Sequence, residues 1–600
     1  MKKPHWITSK KFLIGAGIAL AVLLAIFLIT RWATPNDPNT DPSAPSTSQN
    51  TQHNPLIPDI MGTAKTIKSN LMAALEYLKQ SNFPAARQKL LLVQQDIASV
   101  RKIADNFSLL IQLIPQADGL YKLLDAVDAA IPEILLPAID LMERYPLSDL
   151  RVGDGYNVVT LYGYIDFAEE IMPKLESLLS VMNAADLSLL DSDGKIEAYL
   201  EPINKLMDGF RENPDMLPMI KQMLGSQGDR LYIIAVQNPS EIRASGGFPG
   251  FMGRVRIESG VLTIGEFESV KEFLATWVPQ EIQITKEESA LFSYLSTMSV
   301  PRDADLCPDY ERVGHIWACA YEAKNNEPVD GVISITPHIV QRLLAASGQE
   351  IILFDGSVLT GDNAMKVLIH DIYFKYFDRR NPHPDKFTIS DELFAEAAEK
   401  TMSTLTEDIS VSRLLEFLPV LKESIADRTL MLWMADETEQ AFVMDQGWSG
   451  GLNKDPENPE AGIYVNVVSA SKMGWFLLMD TEIGERTQNA DGSYTYPITV
   501  TINNNITQEE IKAADTYISG GLVGSMRTVV YFFAPAGGNV DNFSASTGQK
   551  ISIKTYNGMT LGHMDSFLLK PDTPVTITYT VTTAPGVETP LALSKTPTAQ

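Results

Sequence analysis

The residues best suited to chemistry lie in one polar segment that directly follows a short apolar run, Leu231–Val236. The segment supplies an amide, a carboxylate, a guanidinium group and paired glycines at Asn238, Glu241, Arg243, Gly246 and Gly247. The run has the composition of a strand, and open α/β sheets bind ligands at the carboxyl ends of their strands. Glycines permit positive φ and close approach to the backbone. We therefore predict a ligand loop; the alternative is a β-turn held by the Asn and Glu side chains.

Two common catalytic designs are absent from the sequence. It contains no His-Glu-x-x-His zinc motif and no Walker-type phosphate loop. The seven histidines are scattered without the spacing of metal ligands. The sequence therefore identifies no catalytic residue and leaves open whether the chain is an enzyme.

The N-terminal apolar run, Phe12–Thr30, is uncharged and long enough to cross a bilayer. Lysines precede it and acidic residues follow it, which predicts a cytoplasmic stub at 1–11 and an extracellular remainder. The rival interpretation is a cleaved signal peptide, but such peptides have a shorter apolar core and a small-residue cleavage site. We therefore expect a single-pass membrane anchor at 12–30.

The overall charge limits the partners of the chain. Its net charge of −27 argues against binding nucleic acid or lying flat on an anionic lipid surface, because both need basic patches. The expected contact with the membrane is therefore the anchor alone.

The two cysteines, Cys307 and Cys319, lie close together in the part of the chain expected to be exported. That compartment is oxidising, so an even count and a short separation predict a disulfide between them. Two free buried thiols are the alternative.

Composition and periodicity divide the rest of the chain. Residues 33–58 are rich in Pro, Ser, Thr and Asn, which predicts a flexible stalk. Apolar spacing of three and four residues predicts a helical domain at 59–227. Alternating strands and helices predict an α/β domain at 228–474. Strands rich in Thr, Val and Tyr predict a β-sandwich at 475–582, followed by a loose tail at 583–600. The expected fold class is multidomain α+β.

The polar segment also resembles a family signature. The family called domain of unknown function 4012, found in exported bacterial proteins, shows Gln-Asn-Asn-x-Glu-x-Arg-x-x-Gly-Gly-Phe after a strand. Gln237–Phe248 is similar to this pattern, with Pro239 in place of the second Asn. Further matches are Arg302–Asp309, Val329–Ile333 and Ser471–Met473. The resemblance runs from about residue 59 to the sandwich and implies an exported bacterial protein, but the family has no established activity.

A second resemblance concerns the α/β region. Its order of elements is similar to the LytR–CpsA–Psr family, anchored enzymes that transfer polyprenyl-pyrophosphate-linked glycopolymers to peptidoglycan. That family's Ser-Ile-Pro-Arg-Asp sequence corresponds to Ser299–Asp303, and its Arg-rich loop to Asp378–Arg380. Its Arg-x-x-Arg-Gln sequence is not reproduced. The resemblance implies a LytR–CpsA–Psr-like α/β fold.

The same resemblance implies a site for a pyrophosphate-linked ligand. Guanidinium groups bind pyrophosphate in a bidentate manner, and carboxylates hold a magnesium ion that shares the phosphate oxygens. The candidate ligands of a pyrophosphate or another polyanion are therefore Arg243, Arg302, Arg379 and Arg380, and Asp303 is a candidate magnesium ligand. Because the chain has 75 acidic residues, the alternative for each arginine is an ion pair with a neighbouring acid.

The leading prediction is a membrane-anchored, extracytoplasmic protein of the bacterial cell envelope. Its pocket would bind or transfer a lipid-pyrophosphate-linked or polyanionic ligand, such as an envelope glycopolymer or its lipid-linked precursor. The alternative is a non-catalytic scaffold whose helices and sandwich bind partners. Several unpaired arginines in one pocket would favour the first function, and individually paired arginines would favour the second.

Overall fold

The structure is a computed structural model that describes most of the chain after the N-terminal region. The described residues are 60–105, 115–184, 204, 207–295, 298–406 and 411–599. The predicted stub, anchor and stalk, at 1–11, 12–30 and 33–58, lie outside them. Among the described residues, no helix combines the length and the apolarity needed to cross a bilayer.

The chain divides into two compact units. One comprises Met1–Ser226 with Ile409–Leu415, and the other comprises Gln227–Asp408 with Glu416–Gln600. The division falls beside the predicted end of the helical domain at 227. The protein is therefore multidomain, and it combines helices with several β-sheets, which confirms the predicted mixed class.

The first unit is mainly helical. Its elements are α1 (Ile60–Lys79), α2 (Phe83–Asp105), α3 (Pro115–Ala130), α4 (Leu136–Arg144), β1 (Arg151–Val152), β2 (Gly155–Asn157), α5 (Val158–Ala184) and α6 (Met216–Met223). Apolar side chains spaced three and four residues apart face a common core, where Leu71, Leu90 and Ile97 are buried. Pro84 lies in the first turn of α2, where its missing N–H breaks no helical hydrogen bond.

The second unit begins with a mixed sheet. The strands in this part are β3 (Arg230–Asn238), β4 (Phe248–Glu258), β5 (Val261–Ile264), β6 (Glu268–Ser269), β7 (Gly331–Ile335), β8 (Ile351–Ile352), β9 (Val358–Leu359) and β10 (Leu430–Met434). The sheet has the order β5-β4-β3-β7-β10 with β6 beside β4, while β8 and β9 form a separate hairpin. Strands β3 and β7 pair in parallel, and β4 and β10 pair antiparallel to them.

The second unit also contains helices that lie along the chain between the strands of this sheet and those of the sandwich. They are α7 (Val270–Phe273), α8 (Lys286–Phe292), α9 (Tyr310–Asn325), α10 (Pro337–Ser347), α11 (Ala364–Lys366), α12 (Ile372–Tyr376), α13 (Lys386–Thr406), α14 (Val411–Ala426), α15 (Glu437–Asp445), α16 (Gln508–Ala513) and α17 (Thr516–Ser519). Of α14, only residues 416–426 belong to this unit. Helix α9 contributes Tyr310, Trp317 and Tyr321, which are fully buried. A short 3₁₀-helix, Pro301–Leu306, precedes α9.

Two further sheets pack as a β-sandwich around an apolar core. Their strands are β11 (Glu460–Val467), β12 (Leu477–Ile483), β13 (Thr487–Gln488), β14 (Tyr494–Asn504), β15 (Met526–Phe533), β16 (Asn539–Ala545), β17 (Ile551–Tyr556), β18 (Met559–Leu569), β19 (Val575–Thr582) and β20 (Ala592–Lys595). One sheet has the order β17-β18-β15-β11-β20, and the other has β12-β14-β19-β16 with β13 beside β14.

The central strands of the first of these sheets, β11 and β15, are buried on both faces. In β15, Val530 and Phe532 enter the core of the sandwich, whereas Tyr531 and Phe533 enter the core that α9 also fills. The alternation follows from the strand geometry, in which successive side chains point to opposite faces. The α/β part and the sandwich therefore share continuous packing, and β11 belongs to the sandwich although it precedes residue 475.

The C-terminal segment differs from the predicted loose tail. Strand β20 pairs in parallel with β11, and Ala592 aligns with Glu460. The hydroxyl of Thr596 accepts a hydrogen bond from the N–H of Val465 at 2.9 Å and donates one to the carbonyl of Ala244 at 3.1 Å. The segment is ordered because its backbone groups find partners at the edge of the sheet.

Candidate functional site

The polar segment after β3 folds back on itself as a turn. The Oδ1 of Asn238 accepts a hydrogen bond from the N–H of Ser240 at 2.9 Å, and its backbone carbonyl accepts one from Glu241 at 3.1 Å. Gly246 has a φ of +122°, and a Cβ at Gly247 would lie 2.4 Å from the carbonyl carbon of Asn238. The paired glycines thus permit close packing within the chain itself, as in the β-turn alternative.

Arg243 is buried beside this turn, with 3% of its side chain exposed. Its Nη1 lies 2.7 Å from an oxygen of Asp303 and 2.8 Å from an oxygen of Asp305. The same nitrogen donates to the backbone carbonyl of Arg302 at 2.9 Å, and the ring of Phe248 lies 4.8 Å from the guanidinium carbon. We call Arg243, Asp303 and Asp305 the Arg243 cluster.

Burial and charge oppose each other in the Arg243 cluster. Burial alone would lower the pKa of Arg243, but the charges of Asp305 and Asp303 raise it well above its usual value. Burial raises the pKa of Asp305 to about 7, although Arg243 acts in the opposite direction. Arg243 therefore stays charged, whereas Asp305 titrates near neutral pH.

The residues around Asp303 do not fit the predicted magnesium ion. Its side chain is only 6% exposed, and one carboxylate oxygen is engaged by Arg243. A magnesium site needs oxygens that are open to water and to the ligand. Arg302, with 40% of its side chain exposed, places its Nε 3.9 Å from the other oxygen. Across the part of the chain that the structure describes, no group of three or more His, Cys, Asp and Glu side chains is arranged to hold a metal.

Arg379 and Arg380 lie on another part of the second unit, in the exposed loop between α12 and α13. The Nε of Arg379 donates to the backbone carbonyl of Lys512 at 2.5 Å. Arg380 pairs with Asp378 at 2.5 Å. The structure thus brings Arg243, Arg302 and Asp303 together, while Arg379 and Arg380 contact a different set of residues.

A second polar cluster lies at the end of β3 and is centred on Lys472, a residue for which the sequence predicted no role. Its Nζ is ion-paired with Glu241 and lies 5.4 Å and 5.3 Å from the ring centroids of Tyr373 and Tyr517. The hydroxyl of Tyr373 accepts a hydrogen bond from Nδ2 of Asn238 at 2.7 Å. We call these five residues the Lys472 cluster. It unites two of the predicted site residues with three that were not predicted.

Lys472 is charged although only 7% of the residue is exposed. Burial acts to lower its pKa, but interactions with Tyr373 and Glu241 raise the pKa above its usual value. The sequence signal for this lysine was the match of Ser471–Met473 to the family pattern, which carried no chemistry by itself.

Aromatic side chains reach the surface beside the Lys472 cluster. Phe387 and Tyr517 are 53% and 36% exposed, and their ring centroids lie 5.2 Å apart. The ring of Phe377 stacks on Tyr517 with centroids 4.6 Å apart. Lys386 lies 4.9 Å from the Phe377 ring and 2.7 Å from Asp515. We call the two exposed rings, Phe387 and Tyr517, the aromatic face; the ring of Phe377 that packs against them is fully buried.

The predicted disulfide between Cys307 and Cys319 is wrong, because both cysteines are free thiols. Cys307 is buried before α9, with its sulfur 3.4 Å from the hydroxyl of Tyr556. Cys319 lies in the third turn of that helix. At a rise of about 1.5 Å per residue, the helix separates the two well beyond the Cα distance that a disulfide spans.

The fold and these clusters define a multidomain α/β protein. The side chains of its polar segment after β3 are engaged mainly by other residues of the protein. Residues 227–373 match the family described as "Protein of unknown function (DUF4012)", which confirms the resemblance read from Gln237–Phe248. The matched span is shorter than the one predicted. No curated protein and no solved structure matches the chain. The similarity to the LytR–CpsA–Psr family therefore stays a prediction.

Proposed function

We propose that the chain is a membrane-anchored, extracytoplasmic protein of the bacterial envelope that acts as a non-catalytic scaffold. The observation that carries this proposal is the burial of Arg243 between Asp303 and Asp305. A transferase of pyrophosphate-linked substrates needs guanidinium groups that are open to the same ligand. A scaffold needs a rigid body, and the core shared by α9 and the sandwich supplies one.

The membrane part of the proposal rests on the apolar run at 12–30 and the lysines before it. Protease added to intact protoplasts should digest the stalk at 33–58 and release the folded units. Protection of the stalk in intact protoplasts, with digestion only after lysis, would contradict this topology.

A second candidate function is the binding of a polyanionic envelope polymer by the exposed loop between α12 and α13. The loop places Arg379 and Arg380 on the surface. Arg379 binds the backbone carbonyl of Lys512, a residue that is itself exposed. Phe387 of the aromatic face follows a few residues later. In a chain of net charge −27, exposed cations next to exposed rings suit a phosphate-bearing sugar polymer, since rings stack on sugars and guanidinium groups bind phosphate.

Poly(glycerol phosphate) is a suitable probe for this second function. Binding of the full chain to the immobilised polymer should weaken strongly in Arg379→Ala, because a hydrogen bond to a charged group is worth about 1.5–3 kcal/mol. Arg144→Ala, which removes an exposed arginine from the end of α4, is the matched control and should bind normally. Equal binding by both variants, or no binding by the natural chain, would contradict this second function. The scaffold would then be the remaining proposal.

A further inference from the structure

We propose that Lys472 and Asn238 become joined by an intramolecular amide bond, with Glu241 transferring the protons. Such a reaction needs an amine, an amide carbonyl and a proton-transfer group held together where water is scarce. The Lys472 cluster provides all three at the end of β3.

The amine is held close to the turn that carries the amide. Lys472 is 7% exposed, and the carboxylate of Glu241 is bound directly to its Nζ. The N–H of Gly474 donates to the backbone carbonyl of Ser240 at 2.8 Å. A Cβ at position 474 would lie 1.9 Å from the carbonyl oxygen of Pro239, so the two loops touch without space between them. The loop after β11 is therefore clamped onto the turn after β3.

The amide of Asn238 is already polarised for attack. Its Oδ1 accepts a hydrogen bond from the N–H of Ser240 at 2.9 Å, which is the kind of contact that stabilises a developing oxyanion. Its Nδ2 donates to the hydroxyl of Tyr373 at 2.7 Å. The Nζ of Lys472 lies 5.4 Å from the ring centroid of the same tyrosine. The amine and the amide therefore lie against one shared side chain.

The reaction balances without any other reactant. Lys472 rests as an ammonium group paired with Glu241. Transfer of one proton along this contact to Glu241 frees the amine, which then attacks Cγ of Asn238 to form a C–N bond. The negative charge on Oδ1 is held by the N–H of Ser240. Glu241 then moves the protons lost by the attacking nitrogen to Nδ2, the Cγ–Nδ2 bond breaks, and the group leaves as ammonium. One positive charge enters the reaction and one leaves.

Pro239 protects the amide from a competing reaction. In many sequences the backbone nitrogen that follows an asparagine attacks the side chain and forms a cyclic imide with loss of ammonia. Proline has no N–H, so this cyclisation is blocked at Asn238. The replacement of the second Asn of the family pattern by Pro239 thus preserves the electrophile for Lys472.

The cross-link would connect the mixed sheet to the sandwich. It joins the loop after β3 to the loop after β11, which are far apart in the sequence, so it restricts the unfolded chain strongly. This effect suits a rigid exported body, but the inference does not depend on the proposed scaffold function, because both reacting groups belong to the chain itself.

Mass spectrometry of the denatured full-length protein tests the inference. The natural chain should be lighter than its sequence by the mass of one ammonia, and a protease digest should contain a branched peptide that joins Asn238 to Lys472. Lys472→Arg keeps the positive charge but removes the amine, so it should show the full sequence mass and no branched peptide. This readout requires no folded variant, because the natural chain alone decides the result.

Three outcomes would overturn the inference. The first is a full sequence mass with the Lys472 peptide recovered in linear form, which means an ion pair only. The second is the loss of water with a peptide branched between Lys472 and Glu241. The third is the loss of ammonia without any branched peptide, which means cyclisation at another asparagine, such as Asn557 before Gly558.

Discussion

The Arg243 cluster and the loop carrying Arg379 contain the same residue type in opposite settings. Arg243 is buried and held by Asp303 and Asp305, whereas Arg379 is exposed and uses its Nε to bind a backbone carbonyl. From the sequence, both arginines were expected to bind the same ligand. The comparison teaches that a charged residue in a family signature can serve the fold, and that burial and pairing, which are not local properties, decide its role.

The two arginines should therefore contribute differently to the free energy of unfolding. Removing one partner of a buried ion pair leaves an unpaired charge, which costs about 3–5 kcal/mol. An exposed pair contributes only about 0–1 kcal/mol, because water solvates the separated charges. The two regions should therefore respond very differently to the same substitutions.

The largest effect is expected for Arg243→Ala compared with Arg379→Ala. The first should lower the free energy of unfolding of the second unit by about 3–5 kcal/mol, because Asp303 and Asp305 lose their partner. The second should leave it nearly unchanged. Urea denaturation of the two full-length variants measures both values. Equal stabilities would break the comparison between the two regions.

A smaller effect is expected from packing in the signature turn. Gly247→Ala places a Cβ 2.4 Å from the backbone of Asn238 and should destabilise by about 1–3 kcal/mol, as overpacking does. Gly250→Ala meets no atom within 4 Å and is the matched control. Thermal unfolding of both variants checks the prediction. If Gly247→Ala melted like Gly250→Ala, the glycines would not be needed for close packing.

The pH dependence of stability should have opposite signs in the two regions. Burial raises the pKa of Asp305 from 3.8 to about 7, so the folded state binds more protons than the unfolded state between these values. Its contribution is complete below pH 3.8 and is lost as the pH rises through about 7. The difference in unfolding free energy between the natural chain and Asp305→Asn, measured from pH 4 to 8, should therefore shift against the natural chain as the pH rises.

Asp378, beside the exposed Arg380, provides the contrast. The hydrogen bond from Arg380 lowers the pKa of Asp378, so its small contribution is present at neutral pH and is lost as the pH falls through the folded pKa. Asp378→Asn should change stability only slightly, and with the reverse dependence on pH. A falling contribution with rising pH at both positions would remove this distinction.

The smallest effect concerns the thiols and changes no stability. Burial raises the pKa of Cys307 well above its usual value, and Cys307 is closed to solvent, whereas Cys319 is half-buried. A maleimide should label Cys319 first in the folded protein and both cysteines after denaturation without reductant. If the denatured chain took up no label, both sulfurs would be blocked, and the disulfide predicted from the sequence would be present after all.

Local sequence patterns predicted the regular elements of the second unit well. The alternation of strands and helices expected from 228 onward is found, for example in β7 followed by α10, because apolar spacing and C-capping residues such as Gly348 act over a few residues. Strand β20 was missed since it has only four residues and depends on pairing with β11. Such long-range pairing leaves little trace in the sequence of either strand.

The candidate site was predicted only in part, for a similar reason. Asn238 and Glu241 were singled out because they lie at the end of a strand, and the structure places both in the Lys472 cluster. Their binding of a ligand stays a prediction. Lys472 itself lies far along the chain, and no local rule connects it with that turn. The acids that bury Arg243 were likewise hidden, because the 3₁₀-helix that carries Asp303 and Asp305 meets the turn only in the folded state.

The most direct test of the structural role of Arg243 is a rescue measurement. The free energy of unfolding is compared among the natural chain, Arg243→Met, and Arg243→Met combined with Asp303→Asn and Asp305→Asn. The account predicts a large loss for the single variant and substantial recovery in the triple variant, because the cost comes from unpaired buried carboxylates. An Arg243→Met protein as stable as the natural chain, or a triple variant without any recovery, would contradict it.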